Sequence, residues 1–176
     1  MPLAVLCTLV AALLGAGNAG GEIRVAVLGT EGAGGKAALA GAEAARDDLA
    51  RAGGPKVVVV PLALASPWAG AAGPIARLIF EERISVLIEA GDGALAHVAA
   101  QVATRSRVPL VTLSPETSIT AIHDPWLLRI VPSDREQALA LIDWALPEPA
   151  GARAKLVVPG GREGRERLAA LESVCH

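Results

Sequence analysis

Short, unbroken apolar runs alternate with helix-patterned stretches along almost the whole chain, and this alternation restricts the fold more than any other feature. Ile23–Leu28 is the first run. Lys36–Ala52 follows, alanine-rich, with Ala38, Ala42, Ala45, Leu49 and Ala52 on one helical stripe, until Gly53-Gly54-Pro55 stops it. Lys56–Leu62 contains four consecutive valines. Ile75, Leu78 and Ile79 then recur at helical spacing. Ile84–Glu89 is the third run, and Ala94–Arg105 sets Leu95, Val98, Ala99, Val102 and Ala103 on a single face. Val108–Leu113 and Trp126–Val131 supply the fourth and fifth runs. Ser133 and Glu136 form a capping box that opens a helix reaching to about Leu146. Strands that are apolar on both faces must be covered on both faces, which a parallel sheet with crossover helices achieves. Right-handed crossovers then predict an α/β fold, a doubly wound parallel sheet of order 2-1-3-4-5.

Such sheets bind ligands beyond the carboxyl ends of their strands, at the point where the strand order reverses, here between strands one and three. Three loops are predicted to gather there: Thr30–Gly35, Gly91-Asp92-Gly93 leading into Ala94, and Ser114–Ser118. They nominate Thr30, Gly91, Asp92, Gly93, Ala94, Ser114, Thr117 and Ser118 as ligand-binding residues. Several of these have a structural alternative. Asp92 can meet a ligand ammonium or cap the helix that follows it. Thr117 and Ser118 can bind a carboxylate or cap the short turn after Pro115. Glu31, Glu116 and Lys36 read as solvated residues, and His97 lies with Gln101 and Arg105 on the polar side of its helix. His123-Asp124 beside Pro125 reads as a turn. Arg129 is expected near a sheet edge, in reach of a carboxylate. Trp126 and Trp144 read as packing residues, as does Cys175 on a stripe with Leu168 and Leu171.

The glycine-rich stretch Val25–Gly41 invites a nucleotide reading and fails it. Gly35-Lys36 matches the centre of a P-loop, but Thr30 stands at the early glycine position and Ala37 at the magnesium-binding hydroxyl position. The dinucleotide pattern fails where Ala37 replaces the third glycine. What remains is a strand, a loop able to present backbone N–H groups, and a helix.

Composition narrows the function further. The 176 residues carry a net charge of −2 without a basic run, and there is no Tyr and only one Phe, so nucleic acid is not an expected partner. Cys7 and Cys175 cannot build a metal cluster, and His97, His123 and His176 lack ligand spacing, so no metal and no cofactor are expected. No G-x-S-x-G elbow appears. Leu3–Leu14 is too short to span a bilayer and reads as the apolar part of an export signal. Gly17 and Ala19 precede a plausible cut, although no Lys or Arg comes before the run and a buried strand is the alternative. Residues 1–19 are therefore a predicted signal peptide, 22–146 a first domain, 147–154 a linker rich in proline, and 155–176 the start of a second domain. Lys155–Val158 is expected as a strand and Arg165–Cys175 as a helix. An uncovered apolar strand there would favour self-association.

The stretch from Ile84 to Leu146 carries Val108-Pro109-Leu110, Ser114-Pro115, Trp126 and Arg129-Ile130-Val131-Pro132-Ser133-Asp134. With these motifs the chain, over about residues 22–170, resembles the first lobe of type I periplasmic binding proteins, and more closely the branched-chain amino-acid binding group of ABC importers. The resemblance implies two lobes joined by hinge strands, a ligand between them, closure that signals a transporter permease, a periplasmic or secreted location and no catalysis. It makes 22–146 the ligand-binding lobe, 147–154 the hinge and 155–176 the incomplete start of a second lobe. It implies that loops after strands three and four hold a ligand carboxylate, with Thr117 and Ser118 at the Ser-Pro loop position. The serine pair expected after strand three does not carry over, because Ala94 and Leu95 stand there. That departure shifts the expected ligand from an ordinary amino acid toward an amide or another small polar solute. The alternatives are a truncated or degenerate lobe acting as a sensor or protein-interaction module, and a small Rossmann-like enzyme disfavoured by the failed glycine patterns.

Overall fold

The computed structural model describes residues 22–64, 70–121, 123–145, 155, 157–158 and 160–175. The predicted signal peptide and the 147–154 linker lie outside the described residues.

Five strands form one parallel sheet in the order β2-β1-β3-β4-β5. They are β1 (Ile23–Leu28), β2 (Val57–Leu62), β3 (Val86–Glu89), β4 (Leu110–Thr112) and β5 (Leu127–Arg129). The helices are α1 (Ala33–Arg51), α2 (Ala72–Glu81), α3 (Gly93–Ser106), the single turn α4 (Thr117–Thr120), α5 (Asp134–Ala145) and α6 (Arg162–Glu172). This is the order and class that the alternating apolar runs predict. Strands three to five are shorter than their runs, because the ends of each run leave the ladder to form the connecting loops. Pro61, which has no N–H to give, sits on the edge strand β2.

Two-sided burial is visible within β1. Ala26 and Leu28 join the main core with Ile75, Leu78 and Ile79 of α2, Leu95, Ala99 and Ala103 of α3, Leu87 and Leu110. Val27 points to the opposite face and is equally buried. The stripes expected on α2 and α3 face this core. Asp92 caps α3 by accepting a hydrogen bond from the Leu95 amide at 2.9 Å. The Ser133–Glu136 capping box forms as expected, with Glu136 N donating to Ser133 Oγ and Ser133 N donating to Glu136 Oε2.

Three expectations need correction. Trp144 is 81% exposed and is not packed among the described residues, because it lies on the outer side of α5. Cys175 is exposed, because α6 ends at Glu172 and the stripe carrying Leu168 and Leu171 stops short of it. Lys155, Val157 and Val158 form no strand: they have no place in the ladder of this sheet, although α6 follows them close to where a helix was predicted.

The opening glycines are used for packing. A Cβ on Gly35 would stand 1.9 Å from the Gly29 carbonyl oxygen, so the start of α1 presses directly onto the end of β1.

Candidate functional site

The final rung of the ladder decides what the carboxyl edge of the sheet can do. Across it, Leu62, Leu28, Glu89, Thr112 and Arg129 stand side by side. The rung is apolar on β2 and β1 and polar on β3, β4 and β5, changing character where the strand order reverses.

Glu89 is fully buried (0% exposed). Its carboxyl group accepts from Thr112 Oγ1 at 2.7 Å and from the Gly91 amide at 2.6 Å. Thr112 Oγ1 accepts in turn from the Ser114 amide at 3.0 Å. One buried acid thus ties the loop after β3 to the loop after β4. Burial pushes its carboxyl up to about 7, against the Thr112 and Gly91 bonds that favour the charged form, with Asp92 adding repulsion.

Above this floor lies a cleft of about 460 Å³, in the size range of small-molecule sites. Gly91, Asp92, Gly93 and Ala94 form one lip, and Ser114, Pro115 and Glu116 the next. Asp134 of α5 and the face of α6 carrying Arg162, Glu166 and Arg167 close the far side. Five of the eight nominated residues therefore line one cleft: Gly91, Asp92, Gly93, Ala94 and Ser114. Thr30 lies at the same sheet edge beside Gly35, outside that lining. Thr117 and Ser118 open α4; Thr117 points to solvent, and Ser118 turns its hydroxyl toward Glu116.

Glu116 and His97, read as solvated from the sequence, belong to the site. Glu116 is 7% exposed. Its Oε1 accepts from Ser118 Oγ at 2.6 Å, from His97 Nε2 at 2.7 Å and from the Arg162 guanidinium at 2.6 Å. Its Oε2 rests on Gly93, where a Cβ would come within 1.9 Å of it. Burial opposes the charge on Glu116, but the bonds from Ser118 and His97 and the charges of His97 and Arg162 outweigh it, and the carboxyl titrates below its ordinary range. Burial raises the carboxyl of Asp134, which faces the same cleft. Arg129 reaches the main-chain carbonyl of Glu116 at 3.2 Å, so it holds the loop backbone and not the carboxylate expected for it.

Among the described residues no group of His, Cys, Asp and Glu is arranged to hold a metal. No described helix is long and apolar enough to cross a membrane. The cleft offers charge, hydroxyls and main-chain groups around a small volume. That chemistry suits recognition.

Comparison with known proteins places the chain in a family. The family model described as periplasmic binding protein matches residues 22–175. No curated protein matches the chain closely enough to count as a relative. Among solved structures, an ABC transporter substrate-binding protein from Desulfitobacterium hafniense superposes with a TM-score of 0.74 at 19% identity, over 87% of this chain and 46% of that one. A solute-binding protein from Rhodopseudomonas palustris in complex with 4-hydroxybenzoate gives 0.71 at 21% identity, over 87% and 43%. The branched-chain amino-acid transporter substrate-binding protein LivJ from Streptococcus pneumoniae, in complex with isoleucine, gives 0.62 at 22% identity, over 72% and 38%. The chain spans less than half the length of each of these structures.

Proposed function

The chain belongs to the periplasmic binding protein family, and from that premise we propose that it is the solute-binding component of an ABC importer, working in the periplasm. Its lobe offers the cleft at the carboxyl ends of β3 and β4 to a small polar solute, amino-acid-like or amide-like. It binds without transforming, and a permease is the partner to which the solute passes. The observation that carries this reading is the cleft itself. It lies beyond the carboxyl ends of β3 and β4, one strand over from the β1–β3 point where the order reverses, and its lips are the two loops that Glu89 ties together. Isoleucine and 4-hydroxybenzoate, bound by two structural neighbours, are of a size such a cleft can hold. The apolar run Leu3–Leu14 supports export.

Thermal-shift measurements against amino acids, amides, amines and hydroxybenzoates test the proposal. At least one class is expected to raise the melting temperature. Gly160 lines the cleft, and a Cβ there meets nothing within 4 Å, so Gly160→Trp should add bulk at the rim without a clash at its Cβ and weaken or erase the shift. Gly41→Trp, on the open side of α1, should leave it intact. A shift undiminished in Gly160→Trp, or a panel without any shift, would remove the reading.

A further inference from the structure

The amino end of α3 is the natural anion-holding corner of the cleft. A helix of 14 residues begins there, with unpaired N–H groups and the positive end of its dipole, and Arg162 stands beside it. Yet the chain fills this corner with its own acids. Asp92 accepts from the Leu95 amide. Glu116 settles one carboxylate oxygen onto Gly93 and gives the other to Ser118, His97 and Arg162. The fit is close: a Cβ at position 93 would push the carboxylate end of the Glu116 side chain out of this place.

We propose that Glu116 is the specificity-determining residue of the cleft: by occupying its anion corner, it makes the lobe select solutes whose charged group is a protonated amine and turn away free carboxylates. The inference rests on the reading of the cleft as a solute site and adds the charge of the ligand to it.

The rest of the cleft agrees. Five carboxylates line it against the guanidiniums of Arg162 and Arg167. Arg162 is joined to Glu116 and Arg167 to Glu163. Asp134 and Glu166 face the same space, and neither forms an ion pair among the described residues. An incoming carboxylate must therefore either take three donors from Glu116 or stand beside Asp134 and Glu166, which hold no direct ion pair among the described residues, although Arg167 and Arg129 act on Asp134 from a distance. Both routes are opposed by like charge. An ammonium group faces neither obstacle, and it leaves the Glu116 cluster in place.

Matched probes separate the alternatives. Calorimetric titration of the full chain would compare leucinamide, leucine and 4-methylpentanoate, which share an isobutyl group and differ in charge, and benzylamine with benzoate. Amines are expected to bind at least about tenfold more tightly than their carboxylate counterparts, as a charge-assisted contact would give. Glu116→Gln keeps the shape and removes the charge. With circular dichroism unchanged, it should reduce that preference to about threefold or invert it. A wild-type chain that prefers the carboxylates, or a preference unaltered in Glu116→Gln, overturns the proposal while leaving a solute site standing. If wild-type protein binds no probe of either charge and no solute from the wider panel, the solute-site reading itself fails and this inference falls with it.

Discussion

Two glutamates stand one strand apart at the carboxyl edge of the sheet, Glu89 closing β3 and Glu116 just beyond β4. Both are nearly or fully removed from water, yet their carboxyl groups move in opposite directions. Glu89 has a hydroxyl and an amide for company and no cation, so burial wins and the neutral form is favoured. Glu116 has a guanidinium, an imidazole and a hydroxyl on one oxygen, and the charge is kept. The difference teaches that depth alone does not set ionisation. What matters is whether the chain delivers a cation to the place, and here the cation comes from α6, 46 residues further along. Glu89 braces the floor of the cleft; Glu116 gives the cleft its charge.

The largest effect is expected at Glu89. Glu89→Ala strands the buried Thr112 hydroxyl and the Gly91 amide and should cost about 2–4 kcal/mol in urea unfolding at pH 7. Glu89→Gln retains an acceptor and carries no charge. The sign of its pH dependence follows from the raised carboxyl. Wild type is most stable, with respect to this group, below its unfolded value near 4.5, and loses stability as pH rises to about 7. Glu89→Gln should therefore gain on wild type across that window, by on the order of 3 kcal/mol at its upper end. A constant difference from pH 4.5 to 8 would break the contrast between the two acids.

A smaller effect is expected at the other side of the comparison. Gly93→Ala forces Glu116 off the start of α3 and should cost about 1–3 kcal/mol, the usual range for overpacking a close contact. In the double variant Gly93→Ala/Glu116→Ala the two costs should not add, because truncating Glu116 removes the group that the new Cβ would strike. Strict additivity would show that Glu116 does not rest on Gly93.

Local and distant features differed in how far the sequence revealed them. The sheet order follows from apolar runs that can only be strands buried on both faces. The Asp92 cap and the Ser133–Glu136 box follow from spacings of three residues, so a reader of the chain can pair them directly. The lips of the cleft, Gly91 to Ala94 and Ser114, follow from the topology. The chemistry of Glu89 was hidden because an acid at the end of an apolar run looks like the point where the strand meets water. Only the register that sets Glu89 beside Thr112 makes it a core residue. Glu116 and His97 were hidden for a similar reason. Each looks like an ordinary polar residue in its own segment, and 19 positions separate them. Thr117 was nominated for its hydroxyl, but the first turn of α4 points it outward, whereas its neighbour Ser118 turns in to Glu116.

The most direct test is a pH titration followed through the carboxyl carbons of ¹³C-labelled glutamate by nuclear magnetic resonance, with Glu89→Gln and Glu116→Gln identifying the two signals. The Glu89 signal is expected to titrate near pH 7 and the Glu116 signal below the ordinary carboxylate range. If both signals move together near 4.5, or if Glu116 proves the more basic of the two, the charge assigned to the cleft is wrong, and so is the ligand inferred from it.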